Sequence, residues 1–220
     1  MLLVLVTTGW GPLRSADREV ADALHRSAVS DGGARRACRV LTDWVWDPWT
    51  MRAALAVAAG WLLYRRERLL ALWVAGTAAV AWAVQQGAKA AVGRARPRWP
   101  DPVDSAPGAA FPSGHAMTAA VACGLLLWLL ARSGAGARGW RLAAAWAVAA
   151  GSVLGVGFTR LYLGVHWFSD VLGGWLLGAA LACAAAAGHG WPAARDGRAP
   201  TGVPVRTPGP GTGAEGPGSR

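Results

Sequence analysis

Hydrophobic and polar positions in this chain separate into long apolar tracts joined by short polar connections. Runs dominated by Ala, Leu, Val and Trp cover roughly 49–64, 69–92, 113–131, 142–163 and 165–187. A helix of about 20 such residues crosses a hydrocarbon core of about 30 Å, so each run reads as a membrane span. The stretch from Met1 to Val6 is too short to cross and lacks the basic residues that open a secretory signal. We read it as the end of a first span whose beginning lies upstream.

The segment 13–46 mixes charge with apolar positions. Asp17, Val20, Ala21, Leu24 and Ala28 recur at helical spacing, and so do Ala37, Val40, Leu41 and Trp44. They predict two short amphipathic helices at the membrane interface. Trp44, Trp46 and Trp49 form an aromatic belt. Asp47-Pro48 supplies an N-cap and a first helical residue for the next element. From Trp191 onward Pro, Gly, Thr and Arg dominate and no apolar period survives. The expected organisation is a membrane-embedded domain over 1–190 and a disordered Pro/Gly-rich cytoplasmic tail over 191–220. The fold class is all-α, a polytopic membrane helical bundle.

Composition narrows the function. The chain of 220 residues is 54% hydrophobic and only 15% charged, with 14 Trp. Its formal net charge of +10 is scattered over the connections. Nucleic acid binding needs a clustered basic face, so that class is set aside. An anionic substrate and a cytoplasmic leaflet that attracts Arg account for the charge. Cys38, Cys123 and Cys183 lack metal-ligand spacing and read as packing residues. No Asp/Glu/His cluster has the spacing of a metal site, and Asp101 and Asp104 sit in a Pro-rich loop that would hold a cation only loosely.

Three short strings carry the chemistry. They are Lys89-x6-Arg96-Pro97, Pro112-Ser113-Gly114-His115, and Arg160-x5-His166-x3-Asp170. Of 22 basic residues all but Lys89 are Arg, so the single Lys opens the first string. No span separates Lys89 from His115, and two separate His115 from Arg160. All three strings therefore return to one membrane face. The opposite face carries Arg65, Arg66, Arg68, Arg132, Arg138, Arg141, Arg195 and Arg198 against Glu67 and Asp196. The positive-inside rule makes that face cytoplasmic and turns the strings outward.

Arg96 offers a planar fork that matches phosphate oxygens, and Lys89 a point charge. Alone, these residues could equally snorkel to lipid headgroups, the reading kept for Arg94 and Arg98. Ser113 is placed to cap a helix whose N-terminal N–H groups favour an anion, and Gly114 lets that anion approach. His115 follows as a candidate proton donor. The plain alternative is a capped helix start. His166 and Asp170, four apart, would share a helix face, with Asp170 orienting the imidazole as a nucleophile. The plain alternative is a buried pair that locks two helices. Gly174-x3-Gly178 and Gly151-x3-Gly155 would let the last two spans pack closely, although with 30 Gly in the chain chance explains the patterns as well. His25 reads as interfacial and His189 as solvated.

In this order and on this span pattern, the strings resemble the type 2 phosphatidic acid phosphatase superfamily, over roughly residues 13–187. The resemblance implies about six spans, the first truncated here. It implies that His166 attacks phosphorus to form a phosphohistidine, that Asp170 orients His166, and that His115 protonates the leaving oxygen. It implies that Lys89, Arg96, Ser113, Gly114 and Arg160 hold the phosphate, with no metal and no cofactor. The expected partners are membrane lipids and a lipid phosphate or polyprenyl diphosphate substrate, at the outer face of the cell membrane. Undecaprenyl diphosphate, phosphatidate and phosphatidylglycerol phosphate present the same phosphate, and Ala, Leu and Trp do not tell their tails apart. Thr159 stands where the family usually has Ser and keeps the hydroxyl. A lipid phosphotransferase of the same fold, or a non-catalytic lipid-phosphate binder or transporter, are the alternatives. A binder would need the cations but has no use for a His–Asp pair.

Overall fold

The structure, a computed structural model, describes residues 1–134 and 139–196, with side chains as far as His189. Its elements are α1 (Leu2–Thr7), α2 (Gly11–Ser30), α3 (Gly32–Val40), a π-helical turn (Leu41–Val45), α4 (Pro48–Tyr64), α5 (Arg68–Val92), α6 (Gly114–Arg132), α7 (Gly139–Tyr162) and α8 (Phe168–Asp196). Four of them, α5 to α8, are long and apolar enough to cross a membrane. The fifth expected span, α4, has 17 residues. At about 1.5 Å per residue it reaches roughly 25 Å, a little short of the hydrocarbon core. The helix α8 runs past Trp191 to Asp196, and the rest of the expected tail lies outside the described residues.

Local chemistry sets the helix ends. Asp31 caps α3 by accepting from Gly33 N and Ala34 N, each at 2.9 Å. Asp47 caps α4 through Trp49 N at 2.7 Å, with Pro48 as first helical residue. The helix α5 stops at Gly93, whose φ of 57° is the left-handed conformation that glycine adopts without penalty. Its N–H bonds the Lys89 carbonyl at 3.0 Å, which fixes where the first string leaves the helix.

The bundle core lies where α4, α5, α6 and α8 meet. Leu55 and Leu62, Leu70, Val74 and Ala81, Met117, Val121 and Leu125, and Ala185 face it at helical spacing. Large apolar residues such as Leu69, Leu72, Trp82 and Trp146 point outward instead. Lipid tails are as apolar as Leu, so close van der Waals fit rather than water exclusion holds such helices together. Small residues provide that fit. A Cβ on Gly174 would stand 2.7 Å from the Ser113 carbonyl, and one on Gly178 would stand 2.7 Å from Ala120 Cβ. This Gly pair therefore seats α8 on α6, not on α7 as the sequence implied. The other pair does not join the last two spans either: Gly151 faces open space and Gly155 lies beneath the Trp46 ring. The α7–α8 contact runs instead through Gly157, against Val171 and Trp175.

The amphipathic helices pack down on the site end of the bundle. The buried stripe of α2 is Asp17, Ala21, His25 and Ala28. Ala28 and Cys38 join Val103, Tyr162, Leu163 and Val165 in a small apolar cluster over the end of α7. His25 is therefore packed into the protein rather than open to its surroundings. It stacks on Trp99 at 3.9 Å between ring centroids, and Trp99 Nε1 donates to the Gly164 carbonyl at 2.9 Å. His189 is likewise not simply solvated, since its ring meets Trp128 edge-on at 5.3 Å and Trp73 at 6.0 Å.

Candidate active site

The C-terminal ends of α5 and α7 and the N-terminal ends of α6 and α8 gather at one end of the bundle. The chain enters α6 beside the start of α8, where Ser113 N donates to the Asp170 carbonyl at 2.9 Å. That bond ties the second string to the third. Ser113 occupies the cap position of α6, as its sequence context implied, but its hydroxyl makes no cap bond. The hydroxyl is buried and unpartnered. Gly114 leaves room for the Gln85 amide, which a Cβ there would meet at 2.8 Å. His115, second residue of α6, lies within electrostatic reach of Lys89, Arg96, Arg160 and His166.

The cations are held by backbone carbonyls. Lys89 Nζ donates to Ala109 O at 2.6 Å. Arg96 donates through Nε to Gly108 O at 3.0 Å, through Nη2 to Pro107 O at 3.0 Å, and through Nη1 to Val165 O at 2.7 Å. The same Nη1 lies 3.0 Å from His166 Nε2. Arg160 is 4% exposed, and its Nη1 reaches only Thr42 Oγ1 at 3.4 Å while Nε has no partner. Such orphaned donors are rare in native interiors, because each forfeits its hydration. Here Arg160 Nε and Ser113 Oγ are both buried without a hydrogen-bond partner among the described residues. Thr159 turns its hydroxyl onto the Val156 carbonyl at 2.9 Å, inside its own helix.

His166 and Asp170 meet differently from the shared helix face that their spacing implied. The helix α8 begins at Phe168, so His166 lies before it in a turn. Gly164, with a φ of 68°, lets the chain reverse after α7. Asp170 then folds back and accepts from Trp167 N at 2.9 Å, the reach of a capping-box carboxylate to the first free N–H of its helix. The same oxygen, Oδ2, stands 3.5 Å from His166 Nδ1. That is ion-pair range but long for a hydrogen bond, and Nδ1 has no closer acceptor.

The ring is 2% exposed. Burial first, then the charges of Arg96, Arg160 and Lys89, push its pKa well below the ordinary 6.5. A neutral imidazole is thereby favoured, and a neutral imidazole is a nucleophile.

Sequence reasoning missed Arg94. Its guanidinium does not reach for headgroups. Nη1 donates to Asp170 Oδ1 at 2.6 Å and to Ser169 Oγ at 2.7 Å, and Nη2 donates to Asp17 Oδ2 at 2.6 Å. Asp17 in turn accepts from Ser169 N at 2.8 Å and Ser169 Oγ at 2.7 Å. The signal was present in Asp17, a carboxylate standing in the apolar stripe of an amphipathic helix. A charge in that position needs a buried partner.

The chain belongs to the PAP2 superfamily, whose family model matches residues 70–192. The matched region holds all three strings. The fold is similar to the crystal structure of a transmembrane PAP2 type phosphatidylglycerolphosphate phosphatase from Bacillus subtilis, with a TM-score of 0.73 at 19% sequence identity. That likeness covers 90% of this chain and 94% of the Bacillus chain. No curated protein matches this chain. With its apolar helices and this family, the chain is a multi-pass membrane protein of a lipid phosphatase fold.

Proposed function

We propose that this protein is an integral-membrane phosphohydrolase that removes phosphate from a lipid phosphate or polyprenyl diphosphate, through a phosphohistidine on His166, at the extracytoplasmic face. The observation that carries the reading is the two-sided environment of His166. One ring nitrogen faces Asp170 Oδ2 at 3.5 Å, and the other lies 3.0 Å from a phosphate-matching guanidinium.

Arg96 has hydrogens to give and no lone pair, so Nε2 of the ring is an acceptor and the proton sits on Nδ1, towards Asp170. Nε2 then attacks phosphorus as the bond to the leaving oxygen breaks. His115, charged once the anionic phosphate sits among the neighbouring cations, donates a proton to that oxygen, which departs as the lipid alcohol or as a lipid monophosphate. The positive charge gained by the ring is balanced by Asp170. His115, now neutral, takes a proton from water as the water oxygen attacks phosphorus. The P–N bond breaks, inorganic phosphate is released and His166 returns to its neutral form. Lys89, Arg96, Arg160 and the Ser113–Gly114 turn hold the equatorial oxygens, an electrostatic stabilisation set in place before the reaction.

The face is supported by charge. Arg65 and Arg66 lie in the connection between α4 and α5 and Arg68 opens α5, at the end of these helices away from the site, where a cytoplasmic leaflet attracts them. The Bacillus protein is described as a phosphatase of phosphatidylglycerolphosphate, which fits a phosphomonoester lipid as one substrate class for this chain. The test is phosphate release from a panel of purified lipid phosphates and diphosphates by detergent-solubilised protein, with acid-labile, base-stable phosphoprotein trapped in a rapid quench. Release that requires His166 is the expected result. A His166→Ala protein that still turned over would remove His166 as nucleophile.

A further inference from the structure

The bridge from α2 to the nucleophile is the part of the site that the three strings do not contain. We infer that Arg94 is a positioning residue for the His166–Asp170 pair and that Asp17 sets Arg94, so that the first amphipathic helix is a working part of the active site. The inference rests on the hydrolase reading above and adds two residues to it.

Asp170 has two carboxylate oxygens and both are assigned. Oδ2 accepts from Trp167 N at 2.9 Å and faces His166 Nδ1. Oδ1 is taken by Arg94 at 2.6 Å. A carboxylate held at one oxygen can still rock about that contact. Held at both, it keeps Oδ2 towards the imidazole. Among the described residues Arg94 is the one side chain on Oδ1, and its fork divides between two acids: Nη1 serves Asp170 and Nη2 serves Asp17.

Asp17 is 1% exposed and Asp170 fully buried, so both carboxylates depend on the donors packed against them. Two buried carboxylates sharing one guanidinium keep an excess of one negative charge behind the ring. That is the charge needed when the ring becomes cationic on phosphorylation. Asp17 also accepts from the backbone and hydroxyl of Ser169, in the first turn of α8. It therefore fixes Arg94 and the start of α8 with one side chain. Arg94 touches neither the phosphate cations nor the Ser113–Gly114 turn through any of its hydrogen bonds. Its effect on the reaction passes through Asp170.

The experiment is a double-mutant cycle of Arg94→Gln and Asp17→Asn, read in kcat and KM for lipid phosphate and in the 15N-histidine NMR spectrum. Asn at 17 can still accept from Ser169 N through its amide oxygen but carries no charge for Arg94, and it also alters the Ser169 Oγ contact, so the double-mutant coupling and not the single change reports the bridge. Arg94→Gln lowers kcat about 10- to 100-fold while KM stays within about 3-fold. Asp17→Asn lowers kcat by a smaller factor and adds little on the Arg94→Gln background, because the two act in series. Arg94→Lys recovers part of the loss, since a single ammonium can reach one carboxylate but not bridge two. The downfield Nδ1–H signal of His166 shifts or broadens in both single variants.

A wild-type kcat in Arg94→Gln overturns the inference. So do full additivity of the two changes, a loss confined to KM, or an unchanged His166 signal. Should Arg94→Gln fail to fold, Arg94→Lys and Asp17→Asn decide the matter by the same readouts. The NMR arm needs no turnover: a His166 signal that shifts in the variants, when the wild-type protein itself releases no phosphate, would keep the positioning role and sink the hydrolase.

Discussion

Arg96 Nη1 stands 3.0 Å from His166 Nε2, so a residue that cannot accept a hydrogen bond faces the lone pair of the imidazole. On the hydrolase reading proposed above, this contact keeps the ring proton on Nδ1, beside Asp170, and turns Nε2 towards Arg96. Exchange of a ring contact for a phosphate oxygen is the first event that substrate binding would bring.

Removal of the ring itself gives the largest effect. His166→Ala is expected to lower phosphate release by about 10^4-fold or more and to abolish the trapped phosphoprotein. Asp170→Asn keeps the bulk but loses the charge, and is expected to lower kcat by about 10^2–10^4-fold. Both are measured on protein that elutes as a folded species in detergent.

The pH profile carries a sign. Burial and three nearby cations hold the His166 pKa below its ordinary 6.5, so the neutral form persists into mildly acidic solution. The acid limb of kcat/KM that reports this ring lies below that value. Arg96→Gln removes one of those cations, so the limb moves to higher pH; a limb that stayed in place or moved down would contradict the assignment. Stability follows the same direction. The buried rings of His25 and His166 both have depressed pKa values in the folded protein, burial being the leading cause for each. The unfolded chain therefore binds more protons, and stability is unaffected by these groups above about pH 6.5 and falls as the pH drops below it. A detergent thermal-shift series from pH 8 to pH 5 measures it.

His115 is expected to matter in proportion to the leaving group. His115→Ala lowers kcat by about 10^2–10^4-fold on a lipid alkyl phosphate, whose alkoxide needs a proton. On an aryl phosphate with an acidic phenol the loss shrinks. An equal loss on both substrates would argue for a binding role instead.

Gly174 faces the Ser113 carbonyl, where an added Cβ would stand at 2.7 Å. Gly174→Val forces α8 away from the start of α6 and is expected to destabilise the protein by about 1–3 kcal/mol, seen in thermal unfolding. Because Ser113 N bonds the Asp170 carbonyl at 2.9 Å, activity falls with it.

Chelation is expected to change nothing. The proposed charge stabilisation comes from Lys89, Arg96 and Arg160, so EDTA leaves phosphate release intact. Loss of activity in chelator, restored by a divalent ion, would revise the mechanism.

The apolar runs, the Asp47-Pro48 cap and the return of the three strings to one end were legible in the sequence, because each depends on local chemistry or on a parity of crossings. So was the membership of Lys89, Arg96, Ser113, Gly114, His115, Arg160, His166 and Asp170 in one neighbourhood. Arg94 was not, because a cation beyond a helix end looks the same whether it meets a headgroup or a buried carboxylate. The partners of the Gly pairs were not, because a small-residue stripe states that something approaches and not what. His166 was placed on the wrong side of a helix boundary, because Gly164 ends α7 but does not say how many residues the turn will use.

By itself the sequence determined the helices, their order and the chemistry at their ends, since period, caps and charge act over a few residues. The tertiary structure alone decided that Asp17 reaches across from α2 to Arg94, that Arg94 holds Asp170, and that α8 sits on α6 through Gly174. Those contacts join residues up to 77 positions apart along the chain. Only the packing of one helix against another, which side-chain shape and buried charge settle together, brings such distant groups within hydrogen-bonding range.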